Sequence, residues 1–342
     1  MPEPRFLVVR LSSLGDIVHT MPAVAGLRES FPNAEIVWLT HPRWKLLVES
    51  SGLASEVWGT ETRSLPSLQQ IIRRIRARNF STAIDYQGLW KSAALPLFGG
   101  VPQRIGFSSE TIREFGVPIL YTDRVRCTQK HIADQNGELS LCAGGRQATA
   151  SVTLDVSSSD EGAVREQLRG LGIGRFAALS PGGGWRSKCW PPDRFGALCR
   201  KIRELLGLRC VVNYGPGEEA LAAAVRDAAG ESDPLLYNGD VGQLMALLQN
   251  ASCIVGGDTG PLHLAVALGT PSVALFGPTD PARNGPYRRA TCSGAVSGKD
   301  IVLRSPEAIT SYKRGEQADP SMLKIGVETV FDAVRRQVEA RG

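Results

Sequence analysis

The sequence predicts an α/β protein made of two doubly wound parallel sheets, and three observations lead to this fold class. Short apolar runs alternate with helical segments along the chain, which is the pattern of repeated β-α-β units. The runs have continuous apolar middles, as in parallel strands that are covered on both faces. The 342 residues are enough for two domains of ordinary size.

The first half opens on a strand and then alternates helices and strands. Strands are predicted at residues 5–10, 35–40, around 57–58 and 83–85. Helices are predicted from the end of the SSLGD loop to about residue 30, over 44–50 and over 65–78. Pro22 is expected to kink or restart the first helix.

The alternation weakens between residues 144 and 159, where glycine and serine residues are frequent. We therefore expect an N-terminal domain over residues 1–160 and a C-terminal domain over 161–320. The second half repeats the pattern, with strands at 176–180, 210–214, 253–255 and 272–276 and helices at 194–206, 219–229 and 241–251. A last amphipathic helix, within residues 321–342, is expected to pack back towards the N-terminal domain.

Composition excludes several classes of protein. Hydrophobic residues make up 42% and charged residues 21% of the chain, as in soluble globular proteins. No apolar run approaches the ~18 residues of a membrane span, and the N-terminal apolar run is a strand rather than a signal peptide, which predicts a cytoplasmic protein. The net charge of +5 is too small to indicate nucleic-acid binding. The seven cysteines lack metal-binding spacing, as expected of reduced thiols.

The segment GGDTGPLHL, residues 256–264, follows an apolar strand and opens a helix. The free N–H groups of a first helical turn form an anion site, and a charged His263 there is unfavourable unless an anion lies nearby. This favours a ligand that carries phosphate. The alternative is an ordinary capped helix, with Asp258 or Thr259 as the N-cap and His263 on the surface.

Asp16 in the segment SSLGD opens a helix just after the first strand. It could be a helix N-cap or a general base, since ligands of open α/β sheets bind outside the carboxyl ends of the strands. A dinucleotide site would need GxGxxG here and an acidic residue after the second strand. Only Gly15 is present, and Thr40-His41 stand after that strand, so an NAD-dependent dehydrogenase is disfavoured.

Three further groups of residues are candidates for binding. Lys188 follows the glycine turn 182–184 and could bind phosphate or be a solvated loop lysine. The turn DYQGLWKS, residues 85–92, could bind a polyhydroxylated or phosphorylated acceptor. Arg73, Arg74, Arg76 and Arg78 lie on a helix whose isoleucines face the core, so they form a solvated face or, less simply, an anion-facing patch.

Five motifs occur in order along the chain: SSLGDIVHTMPA (12–23), DYQGLWKSA (85–93), SPGGGWRSKCWP (180–191), GGDTGPLHLAVALGTPSVALFGPTDP (256–281) and MLKIGVETVFDAV (322–334). They resemble the motifs of the family 9 glycosyltransferases, the ADP-heptose:lipopolysaccharide heptosyltransferases, and most closely those of the heptosyltransferase I branch. The match runs nearly from end to end of the chain. The resemblance implies a GT-B fold, with two Rossmann-like domains facing across a cleft, and an inverting, metal-independent transfer.

The resemblance also implies roles for individual residues. Asp16 is then the catalytic base and Lys188 binds donor phosphate. Glu218, Asp258, Thr259, Gly260 and His263 line the donor site, and Ser13, Gln87, Lys91 and Arg113 belong to the acceptor half. The segment around Arg113 matches the family only loosely.

The implied reaction transfers a heptose from ADP-heptose to an inner-core lipopolysaccharide acceptor of the Kdo-lipid A type, with no metal or other cofactor. The protein is expected to be a monomer that contacts the cytoplasmic face of the inner membrane peripherally. Another nucleotide sugar, a later core acceptor and a non-catalytic nucleotide-sugar-binding relative remain as alternatives.

Overall fold

A computed structural model describes residues 3–112, 114–149, 151–288 and 300–340 of the chain. The chain divides into two compact units, with the division between Asp155 and Val156. The predicted boundary at residue 160 lies slightly later, inside the first helix of the second unit. None of the helices in the described ranges is long and apolar enough to cross a membrane.

In the described residues of the first unit there are six strands and five α-helices. The strands are β1 (Arg5–Val9), β2 (Glu35–Thr40), β3 (Glu56–Gly59), β4 (Thr82–Asp85), β5 (Gln103–Phe107) and β6 (Asp123–Val125). The helices are α1 (Leu14–Ser30), α2 (Lys45–Glu49), α3 (Leu65–Arg78), α4 (Trp90–Phe98) and α5 (Ile132–Cys142).

The six strands form one parallel sheet in the order β3-β2-β1-β4-β5-β6. Val9 at the end of β1 lies in register with Asp85 at the end of β4. The loops that follow these two strands are therefore neighbours at the carboxyl edge of the sheet. Helix α3 covers one face of the sheet, with Ile71 and Ile75 buried against Leu7 and Val37 in the same core cluster.

The part of the second unit that the structure describes has eight α-helices and six strands. The helices are α6 (Ser158–Gly170), α7 (Pro192–Leu206), α8 (Glu219–Ala229), α9 (Val241–Asn250), α10 (Gly260–Ala267), α11 (Pro281–Asn284), α12 (Pro320–Leu323) and α13 (Val327–Glu339). The strands are β7 (Phe176–Ser180), β8 (Arg209–Asn213), β9 (Leu235–Tyr237), β10 (Cys253–Gly257), β11 (Ser272–Phe276) and β12 (Asp300–Arg304).

These strands also form one parallel sheet, in the order β12-β11-β10-β7-β8-β9. The central strand β10 pairs with β7 on one side and with β11 on the other. The loops after β7, β10 and β11 consequently lie side by side at the carboxyl edge. The order of the strands reverses beside β7 and β10, and such a switch point is where ligands of open α/β sheets bind.

The last helix completes the core of the second unit. The apolar face of α13, which includes Val330, Phe331 and Val334, is buried in the core of the second unit together with residues of α7, β10 and β11. The packing of this helix back towards the N-terminal domain stays a prediction. The strong 3.6-residue periodicity of the segment shows that one face must be buried, but it does not say against which sheet.

Candidate active site

Residues that follow β1 and β4 form a first cluster at the carboxyl edge of the first sheet. Asp16 is the third residue of α1, and Ser13 rather than Asp16 is the N-cap. One carboxylate oxygen of Asp16, Oδ2, accepts from the Ser13 N–H at 3.0 Å and from the Ser13 hydroxyl at 2.8 Å. The other oxygen, Oδ1, lies 2.8 Å from Nη2 of Arg10. The N-cap interpretation of Asp16 is therefore wrong, because its carboxylate reaches back to the cap from the first turn.

The surroundings of Asp16 keep it ionised. Desolvation by the packed chain would raise the pKa of its carboxyl group, but the Arg10 guanidinium and the two Ser13 hydrogen bonds outweigh that effect and lower the pKa from 3.8 to about 2. The side chain still exposes 42% of its surface, so it remains open to a ligand. Arg10 is buried, and it also donates to the backbone oxygen of Tyr86 after β4.

Gln87 lies in the turn after β4 and holds the loop that carries Asp16. Its Oε1 accepts from the N–H groups of Leu11 at 2.9 Å and Ser12 at 3.1 Å. The turn itself is fixed by Asp85, a buried carboxylate that accepts from Gln87 N–H, Ser92 Oγ and Tyr121 OH. Burial raises the pKa of Asp85.

The structure brings three of the predicted residues of the first unit together and leaves one apart. Ser13, Asp16 and Gln87 are joined through the loop contacts. Lys91 is exposed in the first turn of α4. Arg113 lies outside the described residues.

A second cluster forms where β10 ends in the second unit. His263 is buried, with 4% of its surface exposed, and its Nε2 lies 3.1 Å from Oδ1 of Asp258. Lys188, from the loop after β7, directs its ammonium group to the backbone oxygen of Asp258, and its Nζ lies 3.7 Å from Oδ2 of the same residue. Asn284 Nδ2 donates to that oxygen at 3.3 Å. Asp258 thus binds three side chains from three segments of the chain.

The charges of this cluster compensate each other. Burial would raise the pKa of Asp258, but the hydrogen bond from His263 and the charge of Lys188 outweigh burial and lower the pKa well below 3.8. The Asp258 carboxylate is thus an anion beside His263 at the start of the helix, and the predicted alternative that places His263 on the surface is wrong. Asp258 thus holds the side chains of Lys188 and His263 together at the end of β10.

Thr259 is the N-cap of α10, and Gly260 is its first residue. The hydroxyl of Thr259 accepts from Leu262 N–H at 3.4 Å, and Pro261 follows Gly260 within the first turn. Gly257 must lack a side chain because a Cβ would lie 2.9 Å from the backbone oxygen of Lys188. This close approach brings the Lys188 loop against the end of β10.

Glu218 is the N-cap residue of α8 and lies against the glycine loop after β7. A Cβ on Gly182 would lie 2.0 Å from Oε1 of Glu218, so glycine at this position makes room for the carboxylate. The second oxygen of Glu218 accepts from Gly215 N–H at 2.9 Å. The six residues predicted for the donor side therefore lie in the loops that follow β7 and β8 and in the segment from the end of β10 to the first turn of α10.

Two contributing residues were not predicted. Arg10 directly follows a buried strand, and a basic residue at that position was the available signal. Asn284 had no signal, because its contact with Asp258 exists only after folding. Groups of three or more metal-ligating side chains are absent from the described residues.

The predicted arginine patch is largely engaged in other contacts. Arg78 forms ion pairs with Glu35 and with Glu56, and Arg74 pairs with Glu56 at 3.2 Å and lies over the Trp58 ring. Arg76 donates to the backbone oxygen of Phe98 at 2.9 Å. These arginines fasten α3 to the sheet and to α4, so the solvated-face interpretation is the better one.

Comparison with known proteins identifies the family of the chain. The model of glycosyltransferase family 9 (heptosyltransferase) matches residues 68–306. Lipopolysaccharide heptosyltransferase 1 of Escherichia coli K12 is 26% identical over 319 residues, covering 89% of this chain and 98% of that protein.

Solved structures share the fold over the whole chain. E. coli ADP-heptose LPS heptosyltransferase II has a TM-score of 0.80 at 20% identity and covers 98% of this chain and 99% of that one. E. coli heptosyltransferase WaaC with ADP has a TM-score of 0.74 at 21% identity and covers 99% of this chain and 100% of that one. Because the family model matches well over half of the sequence, the chain belongs to glycosyltransferase family 9 and is a glycosyltransferase of the heptosyltransferase type with a GT-B fold.

Proposed function

We propose that this protein transfers a heptose from ADP-heptose to a Kdo-lipid A type acceptor of the lipopolysaccharide inner core, with inversion at the anomeric carbon. The observation that carries the proposal is the buried group of Lys188, Asp258 and His263 at the switch point of the second sheet. Its support comes from the family of the chain and from a relative that was solved with ADP.

The donor side can stabilise the leaving group. Negative charge builds on the β-phosphate as the sugar departs, and cations or N–H groups that are already in position lower the barrier. The Lys188 ammonium, the His263 ring and the N–H groups at the start of α10 supply such groups. We infer that they act without a metal ion and that no other cofactor takes part.

The acceptor side supplies the base. Asp16 is ionised and partly open to solvent, and Arg10 and Ser13 fix its orientation. A carboxylate with a pKa of about 2 is a weak base. It would accept the proton late, after the attacking hydroxyl has begun to bond to the anomeric carbon and has become strongly acidic. One base is enough, because a single displacement inverts the anomeric centre.

The identity of the acceptor rests on relatives alone. Lipopolysaccharide heptosyltransferase 1 proteins are among the similar ones, and this favours the first inner-core transfer. A later core acceptor or another nucleotide sugar is the alternative. A non-catalytic role is disfavoured because Asp16, Lys188 and His263 are all present with ordered partners.

A lipid acceptor requires contact with a membrane surface, for which we propose a patch in the first unit other than the arginines. Phe115 exposes 99% and Ile119 71% of its surface, next to the exposed Trp90. The Trp90 indole N–H donates to the backbone oxygen of Phe115 at 3.2 Å, so this apolar patch is held on α4. The positive charge of Lys91, beside Trp90, would face the anionic headgroups of the inner leaflet.

We also propose that the protein is a monomer.

Product analysis tests the transfer. Purified protein is incubated with ADP-heptose, ADP-glucose or UDP-glucose, each with a Kdo-lipid A acceptor or a heptosylated one, in EDTA. We expect mass spectrometry to find one added heptose, from ADP-heptose and on the Kdo acceptor only. Transfer from another donor, or only to the heptosylated acceptor, would select the corresponding alternative. Tight ADP binding with no transfer to any acceptor would support the non-catalytic one.

A further inference from the structure

A segment between β12 and α12 bridges the loops of the donor side. We call this segment, residues 305–319, the strap. At its first half, Ser311 N–H donates to the backbone oxygen of Pro278 at 2.7 Å, in the loop after β11. At its second half, Asp319 N–H donates to the backbone oxygen of Ser187 at 2.9 Å, in the loop after β7.

The side chain of Ser187 adds two further contacts to the strap. Its hydroxyl donates to the backbone oxygen of Lys313 at 3.4 Å and accepts from Gly315 N–H at 3.4 Å. Since β7 and β11 are the two neighbours of β10, a strap fastened after both passes the carboxyl end of β10. That end carries Asp258 and His263, the centre of the proposed donor site.

The strap places an aromatic and a cationic group beside the Trp185 ring, which Lys188 also approaches. The Tyr312 ring lies 6.5 Å from the ring of Trp185, between centroids. Cζ of Arg314 lies 6.0 Å from the Trp185 centroid, and Nζ of Lys188 lies 5.2 Å from the same centroid. Arg314 and Lys188 are thus two cations beside one indole.

The two cations differ in their partners. Lys188 is compensated by Asp258, whereas neither Arg314 nor its neighbour Lys313 has an ion pair with a carboxylate within the described part of the chain. Both are exposed. An uncompensated guanidinium that shares an indole ring with Lys188 is a favourable place for a polyanion, and a guanidinium can bind two phosphate oxygens at once.

We propose that Arg314, carried by the strap and supported by Trp185, is a binding residue for the diphosphate of the nucleotide donor, in addition to Lys188. This inference rests on the proposed function, since it assumes that the second unit binds a nucleoside diphosphate. Arg314 recognises the charge of the second phosphate rather than the base of the nucleotide. It belongs to a segment that lies almost wholly beyond residues 68–306, which the family model matches.

Isothermal titration calorimetry of the full chain with ADP and with AMP tests the proposal. We expect Arg314→Ala to weaken ADP binding about tenfold and to change AMP binding less than about twofold, because the second phosphate loses a charged hydrogen-bond partner. Arg314→Lys should recover part of the ADP affinity. Arg169→Ala, which removes an exposed arginine from the end of α6, is the charge-matched control and should leave both affinities unchanged.

Each outcome decides the proposal. An Arg314→Ala variant that binds ADP as tightly as the wild type overturns it. Equal loss of ADP and AMP affinity also overturns it, since the strap would then act by supporting the loops. In both cases the wild type still binds ADP, so only the role of Arg314 is refuted. A wild type that binds no ADP refutes the proposed function as well.

Discussion

Nη2 of Arg10 lies 2.8 Å from Oδ1 of Asp16, and this ion pair helps to set the protonation state of the proposed base. Desolvation alone would raise the pKa of Asp16, and Arg10 is the largest of the opposing contributions. In Arg10→Gln we therefore expect the pKa of Asp16 to rise. Because the wild-type pKa is about 2, the wild type should show no acid limb from Asp16 in a kcat/KM profile measured between about pH 4 and about pH 8, whereas in Arg10→Gln an acid limb should enter the lower end of that range.

The control for this prediction is Arg28→Gln, which removes another arginine that donates to backbone oxygens in the first unit. Its acid limb should stay where the wild type has it. An unshifted profile in Arg10→Gln would mean that Arg10 serves the loop and not the charge of Asp16.

Asp258 is the central acceptor of the donor side, so its charge matters for stability. Because its pKa in the folded protein lies below 3.8, the contribution of its ionised form is complete above about pH 4 and is lost as the pH falls further. Asp258→Asn should lower the free energy of unfolding by about 3 kcal/mol near neutral pH, because it leaves Lys188 without its carboxylate. Urea unfolding at several pH values measures this change.

The matched control is Asp233→Asn, which breaks an ion pair between Asp233 and Arg209 whose carboxylate is largely exposed. Its effect should stay below about 1 kcal/mol. Equal effects of the two substitutions would show that the Asp258 cluster is no more than a surface ion pair.

Gly182 and Glu218 form a pair that a double-mutant cycle can test. A Cβ on Gly182 would lie 2.0 Å from Oε1 of Glu218, so Gly182→Ala must displace that carboxylate. We expect a loss of about 1 kcal/mol in the wild-type background and a smaller loss in Glu218→Ala. Gly162→Ala, in α6 with open space around it, is the control and should be neutral or stabilising. Equal losses of stability in both backgrounds would rule out the steric pair.

The apolar patch predicts membrane binding. The double substitution Phe115→Ser with Ile119→Ser should weaken sedimentation with anionic vesicles at least about tenfold, because two large apolar side chains no longer enter the lipid. Leu65→Ser removes an exposed apolar side chain on α3, elsewhere in the first unit, and serves as the control. If the control loses as much binding as the double variant, the patch has no special role.

The regular part of the fold could be predicted because it rests on local periodicity. The predicted helix over 65–78 coincides with α3, and Ser64 accepts from Ser67 N–H as its cap. The elements that were missed include β6, a three-residue edge strand. The serine-rich stretch around Ser157, where the predicted alternation weakens, is the start of helix α6. The Ser157 hydroxyl accepts from Asp160 N–H as the cap of that helix. Serine marks both loops and caps, and the sequence alone does not separate them.

The site could be predicted as a set of positions but not as a set of contacts. Asp258 and His263 were identified from the strand–turn–helix pattern, which is local. Their mutual hydrogen bond and the approach of Lys188 depend on the pairing of β7 with β10. The contacts of Ser13 could not be predicted either. The resemblance implies a place for Ser13 in the acceptor half, and in the structure its hydroxyl donates to Asp16 and helps to orient that carboxylate.

The most direct measurement of the central claim is a single-turnover rate of heptose transfer from ADP-heptose to Kdo-lipid A, with wild type and Asp16→Asn, alongside their ADP dissociation constants. We predict a rate at least about 100-fold lower in Asp16→Asn with ADP affinity unchanged, since only the base is lost. Transfer by Asp16→Asn at the wild-type rate would contradict the assignment of the base. The absence of transfer by the wild type would contradict the proposed reaction itself.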